Sequence, residues 1–598
     1  MSDQTKGVTR RQLISGAGAV TASLGVMSLS ACGEASRSQT DYQWDHESDI
    51  VLVGSGAGSS TAAVTAIANG DSVVMIEKAP VFGGTSAKTV GVLWIPNNFT
   101  LREKGISDSK EDCLEYLARY SFPEHFNASD TKLGLTDHAY SLLEAFYDNA
   151  SKATDLLKSS GALDLGEWRM FDLDKSATDY LDHVPENRVP TGRTLGTISA
   201  SSGKIGTGVD MMGQLQDFLN SNGASILMNH RAVRLIVDDA DRVIGIEADN
   251  NGKTVSLRAR KGVIFGSGGF AHNRKSVLRF QRNHIYGSCA VPMATGDFID
   301  IALAAGAQLG NLSGAWRTQV VLEQALKNSK LAGGVFYPPG DSMFQVNKYG
   351  ERVVDEHRNY NDRTEIHGVY DPGRAEFKNQ LLFMIYDQRS AEAFAGIYPY
   401  PEVPTDSPFV IAAESLDALT ENLQQRLSDL AAQTGGVSLD AEFSENLNAT
   451  MARFNQFAIA GKDDDFHRGD AGYDTEWHYA FSAMRDDTAW PVNQNPNITM
   501  HPFSEKGPYY AIILVAGALD TNGGPVIDAS ARVLDTQDKP IKGLYGAGNC
   551  IASPSRDAYW GAGCPLGLSL AFGHIAANAA HSETEIETEI EIESETDV

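Results

Sequence analysis

Sulfur, basic charge and long apolar runs are what this chain has little of. Its 598 residues include five cysteines, at positions 32, 113, 289, 550 and 564. They form no Cys-x-x-Cys, no Cys-x-x-Cys-His haem attachment and no iron–sulfur spacing, so an electron carrier of either kind is excluded. No metal site is expected. Lysine and arginine number 49 against 77 aspartates and glutamates, for a net charge of −28. A surface of that sign repels phosphate backbones and argues against nucleic acid. Eight of the acids fall in residues 582–598, SETEIETEIEIESETDV, with no basic residue among them. Such a segment is expected to be a solvated, disordered tail.

Beyond the N-terminus, no segment is apolar enough to span a membrane. The N-terminus itself reads as an address. Thr9-Arg10-Arg11-Gln12-Leu13-Ile14 is a twin-arginine pattern, and a mild apolar stretch follows as far as Ala31. That stretch is too short and too rich in glycine and serine for a transmembrane helix; twin arginines before it mark bacterial export. Leu29-Ser30-Ala31-Cys32 has the form of a lipoprotein processing box. Residues 1–32 are therefore expected as a signal and 33–47 as a tether. The mature protein would be periplasmic, touching the membrane only through a lipid on Cys32.

Glycine is plentiful, and its placement is informative. Residues 49–53, DIVLV, read as a strand, followed by Gly54-Ser55-Gly56-Ala57-Gly58-Ser59 and an Ala-rich helical run to Ala68. Ser72–Ile76 reads as a second strand, ending at Glu77. This is the order of a dinucleotide-binding βαβ unit. Gly54 permits the turn, Gly56 lets backbone approach a pyrophosphate at the helix N-terminus, and Glu77 is placed for the ribose hydroxyls. Ser59 replaces the third glycine and is small enough for close helix–strand packing. Three further pieces favour FAD over a nicotinamide: Gly83-Gly84-Thr85-Ser86-Ala87, the strand and Gly-rich turn at 262–273, and GLYGAGN at 543–549. The expected FAD contacts are Gly54, Gly56, Ala57, Gly58, Ser59, Glu77, Lys78, Gly83, Gly84, Thr85, Ser86 and Ala87 from the first half. Gly268, Gly269, Gly546, Gly548, Asn549, Pro565 and Leu566 complete the set.

Shortly after GLYGAGN comes Tyr559-Trp560-Gly561-Ala562-Gly563. A phenol and a glycine amide four residues apart on a tight turn can both point at one carbonyl oxygen. Such a pair polarises a ketone and makes the neighbouring C–H acidic.

Together these pieces resemble the flavoprotein superfamily of fumarate reductase, succinate dehydrogenase and the 3-ketosteroid dehydrogenases, over residues 48–581. The resemblance implies an α/β fold, a Rossmann-like FAD-binding domain interrupted by an inserted α+β catalytic domain. The division it suggests is 48–310 for the first part of the FAD domain, 311–489 for the insertion, 490–581 for the second part and 582–598 for the tail. Fumarate-type reductases resemble Asn-x-x-Gly-x-Arg-Phe-x-Asn-Glu-x-x-x-Arg-Asp, with the arginine after the glutamate as acid. In the corresponding run, Asn347 to Asp362, Tyr360 stands at that place. The histidine that such enzymes carry before Thr-x-Gly-Gly is also missing from Gly517–Gly524. A dicarboxylate needs cationic, bidentate donors, so both changes argue against one.

A tyrosine at this place resembles the 3-ketosteroid Δ1-dehydrogenases, where it removes the C2 proton. Tyr559-x-Gly561-x-Gly563 is similar to their Tyr-Pro-Gly-x-Gly, with Trp560 in place of proline. The Δ4-(5α) enzymes resemble Tyr-x-Ser-x-Gly, so Gly561 leans towards Δ1. Asp179-Tyr180, ahead of Pro185-Glu186, is a looser match to a third family tyrosine. The resemblance thus implies Tyr360 as base, Tyr559 and Gly563 as the ketone-polarising pair and Tyr180 as a proton relay. The substrate it implies is a 3-ketosteroid or similar cyclic ketone. Three alternatives stay open at this level. They are a Δ4-type or other cyclic-ketone desaturase, a periplasmic reductase of an unsaturated acid, and a flavin-binding partner without catalysis. The electron acceptor carries no motif; a quinone would suit a membrane-anchored enzyme.

Overall fold

The computed structural model describes residues 43–169, 176–482 and 492–596, with residues 583–596 described by backbone alone. The twin arginines, Cys32 and the tether as far as residue 42 lie outside these. The tether ends earlier than residue 47, because Asp45 N–H already donates to Ser256 O (2.9 Å) and the first strand spans His46–Val53.

That strand sits inside an eight-stranded sheet. It runs parallel to Val73–Glu77 on one side and to Lys253–Phe265 on the other, with Val53 opposite both Ile76 and Phe265. Val73–Glu77 is parallel in turn to Ser225–Met228. Ile50, Val51 and Leu52 are fully buried, which explains why the run is continuously apolar rather than alternating. Pro540–Gly546 joins the same sheet parallel to Lys253–Phe265, with Leu544 opposite Val263. The two ends of the chain thus build one domain. The helix Ala57–Ala68 packs against the C-terminal helix, which begins at Cys564. Thr65 Oγ1 and His574 Nδ1 lie 3.0 Å apart, and a Cβ on Gly573 would strike the Gly58 carbonyl.

The acidic segment expected to be disordered from residue 582 instead continues this helix, which spans Cys564–Thr596. Extending a helix already nucleated by packing adds one hydrogen bond per residue without a new nucleus, and glutamate is a good helix former.

The two ends of the segment that carries the second sheet meet at a short antiparallel pair. Leu309–Gly310 pairs antiparallel with Gly524–Pro525, so exit and return are hydrogen-bonded to each other. Between them lies a five-stranded sheet of Ala315–Val321, Met343–Val346, Leu382–Asp387, Val410–Ala413 and Tyr509–Thr521. Tyr509–Thr521 pairs with Ala315–Val321, Leu382–Asp387 and Val410–Ala413. The expected boundary at 489/490 is therefore corrected to about 523/524. The reason is local: YYAIILVAG is a buried apolar strand on both faces, and such a run does not declare which sheet it joins. Helices Leu416–Asp429 and Phe443–Ala460 cover this sheet through Leu419, Leu423, Leu447 and Phe454.

A third, small sheet of Val92–Trp94, Leu165–Glu167 and Thr194–Thr197 lies under the start of the C-terminal helix. It supports the turn that carries Tyr559.

Candidate active site

One cavity joins the two domains' functional residues. Its wall includes Gly54, Gly56, Ala57, Gly58, Glu77, Lys78, Gly84, Thr85, Ser86, Gly268, Gly548, Asn549, Pro565 and Leu566, all expected from the sequence. Tyr180, Tyr360, Tyr559 and Gly563 line it as well. Five expected contacts stand behind the wall instead: Ser59, Gly83, Ala87, Gly269 and Gly546. Two of these have clear reasons. Ser59 Oγ donates to Val53 O (3.2 Å) and lies where a Cβ on Gly266 would strike it, so it closes the helix onto the strand. Gly269 is pressed against Asp520 and Thr521, and its N–H donates to Asp520 Oδ2 (3.0 Å).

The near end of the cavity fits FAD. Gly54 has φ +96°, and a Cβ there would collide with the Gly266 carbonyl, so the turn demands glycine. The helix Ala57–Ala68 opens onto the cavity with no acid in its first turn, as an anionic pyrophosphate requires. Ser86 Oγ accepts from Ala57 N (3.1 Å). Glu77 is oriented by Ser55, whose N–H (3.0 Å) and hydroxyl (2.8 Å) both donate to its Oε2. Lys78 Nζ is paired with Asp297 (3.1 Å) and donates to Thr295 Oγ1 (2.7 Å). Asn549 joins three segments: its Oδ1 accepts from Trp316 Nε1 (2.9 Å), and its Nδ2 donates to Asp520 Oδ2 (3.2 Å). Burial pushes Asp520 up to about 6.

At the far end three phenols meet. Tyr180 Oη donates to Tyr360 Oη at 3.0 Å. The Tyr180 ring stacks on Tyr559 (5.2 Å, 20°), and Tyr360 meets Tyr559 edge-on (5.3 Å, 75°). Burial pushes all three hydroxyls well above the ordinary tyrosine range. The looser sequence match at Tyr180 thus lands beside Tyr360.

Each phenol has its own mounting. Tyr360 opens the short helix Tyr360–Thr364, capped by Asn359, whose side chain accepts from Asp362 N (3.0 Å). Asn361 then locks that helix in place: its Oδ1 accepts from Arg317 N (2.9 Å) and its Nδ2 donates to Asp557 O (2.9 Å). The second bond reaches the segment just before Tyr559. Tyr180 N–H donates to Trp560 O (3.0 Å), so the Tyr559 turn also positions Tyr180.

The turn is rigid for steric reasons. A Cβ on Gly561 would strike the Trp94 indole, and one on Gly563, at φ +89°, would strike the Val92 carbonyl. Trp560, which replaces the family proline, does not face the cavity. It is fully buried between Trp94 (5.5 Å) and Phe146 (5.1 Å), with Nε1 donating to Ser121 Oγ (3.0 Å).

Trp168, Trp316, Phe336, Trp477 and Phe481 complete an apolar wall that the sequence reading did not single out. Aromatic residues carry no motif; only their convergence from distant segments assigns them. Among the described wall residues there is no arginine, and the two lysines are Lys78 and Lys88.

A model of the FAD binding domain family matches residues 49–566. The chain is 31% identical over 597 residues to a 3-oxosteroid 1-dehydrogenase of Mycolicibacterium smegmatis, covering 90% of this chain and 97% of that one. It is 30% identical over 562 residues to a 4-oxocyclohexanecarboxylate 2-dehydrogenase of Sinomonas cyclohexanicum, covering 88% and 92%. The crystal structure of 3-ketosteroid delta1-dehydrogenase from Sterolibacterium denitrificans in complex with 1,4-androstadiene-3,17-dione superposes with a TM-score of 0.71 at 25% identity. That match covers 90% of this chain and 100% of the other. With its two-ended nucleotide cradle and a family match over residues 49–566, the chain belongs to the FAD binding domain family and is an FAD-dependent oxidoreductase.

Proposed function

We propose that this enzyme is a 3-ketosteroid Δ1-dehydrogenase. The observation that carries the reading is the convergence of Tyr180, Tyr360, Tyr559 and Gly563 on one apolar cavity continuous with the FAD cradle. A wall of aromatic rings without arginine suits a neutral, rigid, hydrophobic ketone rather than a dicarboxylate. Tyr559 Oη and the Gly563 N–H donate to the ketone oxygen and hold the charge that develops there. One such donor contributes about 3–4 kcal/mol. Tyr360 Oη takes the C2 proton, with Tyr180 hydrogen-bonded to it as the relay. The packed rings exclude water from the enolate. FAD, when bound, supplies the acceptor for the hydride that leaves C1. Anaerobic addition of androst-4-ene-3,17-dione to the holoenzyme should bleach the flavin absorbance. A flavin that stays oxidised with this ketone and with related 3-ketosteroids would refute the reading.

One observation favours a second substrate class. Among the described residues, Lys88 Nζ, on the cavity wall, donates only to the backbone carbonyls of Cys289 (2.6 Å) and Leu331 (3.0 Å). An ammonium so placed can also meet the carboxylate of a small ring ketone, as in the Sinomonas relative's substrate. Bleaching by 4-oxocyclohexanecarboxylate and not by steroids would select it. Export by the twin-arginine route, a lipid on Cys32 and delivery of electrons to a quinone rest on the N-terminal residues and remain part of the proposal. Membrane fractionation with and without Arg10/Arg11→Lys tests the first of these; retention of the periplasmic pool in the variant would reject it.

A further inference from the structure

Behind the phenols stands a buried ion cluster with one carboxylate more than its cation requires. Arg193, Asp108 and Asp179 are all buried. Asp108 takes the guanidinium as a fork, accepting from Nε (2.9 Å) and Nη2 (3.0 Å). That bidentate pairing already matches the arginine's charge. Asp179 then accepts from Nη1 and from the Arg193 backbone N–H (3.2 Å). Among the described residues no second cation pairs with either acid. Burial pushes Asp179 above the ordinary carboxylate range. A second buried carboxylate on one cation is costly, so its presence calls for a reason beyond charge balance.

The reason lies in what else Asp179 touches. Its Oδ1 accepts from Trp94 Nε1 (2.8 Å). The same oxygen lies 3.3 Å from where a Cβ on Gly561 would stand, and the Trp94 indole is the ring against which Gly561 is pressed. One carboxylate oxygen therefore fixes the wall of the Tyr559 turn and abuts the turn itself. Along the chain, Asp179 leads directly into Tyr180, whose N–H donates to Trp560 O (3.0 Å). That carbonyl also accepts from Tyr116 Oη (2.6 Å), and Tyr116 Oη accepts from Leu181 N–H (3.3 Å). The Arg193 guanidinium lies over the rings of both Trp94 (5.4 Å) and Tyr116 (5.2 Å). Residues 179–181 and the turn 559–563 are thus joined by groups outside the cavity: Asp108, Asp179, Arg193, Trp94 and Tyr116 are not part of its wall.

We propose that Asp179 is a positioning residue that holds the Tyr180 hydroxyl and the ketone-polarising turn in one register. The inference rests on the roles proposed for Tyr180, Tyr559 and Gly563. Tyr180 has to meet Tyr360 Oη (3.0 Å) while Tyr559, on which its ring stacks at 5.2 Å, meets the ketone. A shift of about 1 Å between such groups costs about 10²-fold in rate. Asp179 bears on both, because its backbone continues into one and its side chain abuts the other. Asp179 touches no substrate. Its contribution is the bond to Trp94 and the contact with Gly561, and the ion pair with Arg193 keeps the carboxylate aimed at them.

The first test needs no substrate and reads each side of the link after the other side is altered. Hydrogen exchange of the holoenzyme is followed on peptides covering residues 178–182 and 558–564. Asp179→Ala should speed exchange in 558–564 as well as in its own segment. Trp94→Phe deletes the bond to Asp179 and leaves the ion cluster and an aromatic ring in place. It should speed exchange in 178–182, because the Tyr180 N–H bond to Trp560 O loosens with the register. Exchange unchanged in 558–564 for Asp179→Ala, or unchanged in 178–182 for Trp94→Phe, would overturn the proposal and mark a purely local structural role. Should Asp179→Ala fail to retain FAD, Trp94→Phe alone decides. The second test is kinetic. Asp179→Ala should lower kcat for a 3-ketosteroid by about 10²-fold with little change in KM. In a Tyr180→Phe background the same substitution should cost much less, since the hydroxyl it positions is already gone. Losses that multiply in full would count against Asp179. A wild type that leaves 3-ketosteroids untouched counts against the steroid reading, and the exchange measurement still decides the link.

Discussion

The two halves of the proposed catalytic centre are mounted in opposite ways. The ketone-polarising half, Tyr559 to Gly563, is backbone fixed by sterics. Its glycines press on Trp94 and Val92, Trp560 is locked in an aromatic stack, and the charged pair Asp179 and Arg193 stands behind Trp94, whose Nε1 donates to Asp179 Oδ1 (2.8 Å). The proton-accepting half, Tyr360 to Thr364, is a single helical turn tied down by side chains. It stands among two buried arginines, Arg363 and Arg468, and two half-buried ones, Arg352 and Arg358; Arg352 and Arg468 pair with Glu356. The difference follows from the chemistry. Stabilising an oxyanion takes oriented neutral dipoles, which a rigid turn supplies at no cost in charge. Holding a proton acceptor ready inside an apolar cavity means placing an anion there, and a buried anion needs compensation.

The sharpest way to break this contrast is at the base. Tyr360→Phe should lower kcat/KM by about 10³-fold or more while FAD content stays at the wild-type level, since a positioned general base contributes about 10²–10⁴. Retention of a few per cent of the rate would remove Tyr360 from that role. On the rigid side, Gly563→Ala forces a side chain into positive φ and against the Val92 carbonyl. Displacing that amide should cost about 10²-fold in kcat/KM and lower the melting temperature as well; a variant that keeps both would show that the amide is not a donor. Asn361→Leu tests the link between the halves, because Asn361 bonds both Arg317 N and Asp557 O. Loosening Tyr360 relative to Tyr559 should lower kcat by about tenfold with little change in KM. An equal rise in KM would instead indicate a collapsed pocket.

The rigid half was the more legible in the sequence. Gly561 and Gly563 stand at fixed spacing after Tyr559, and steric demands of that kind leave glycine behind as a visible mark. The FAD cradle was readable for the same reason, through Gly54 and Gly56. Ser59 in the third glycine's place proved to serve packing, as its size suggested. The tether of the base half was not readable. Asn361 acts through partners 44 and 196 residues away in sequence, and no spacing encodes them. The return of the insertion was misplaced because Tyr509–Thr521 is buried on both faces, and its composition would suit either sheet. Trp560, a departure from the family pattern, is not part of the cavity wall; its side chain packs in the core against Trp94 and Phe146.

The most direct test of the paired mechanism is a double-mutant cycle on Tyr360→Phe and Tyr559→Phe, read as kcat/KM for a 3-ketosteroid. Groups that act as a unit on one substrate lose their effects together. If Tyr360 takes the proton that Tyr559 acidifies, the double variant should be little worse than Tyr360→Phe alone. Losses that simply multiply would mean that the two tyrosines do not act on the same ketone.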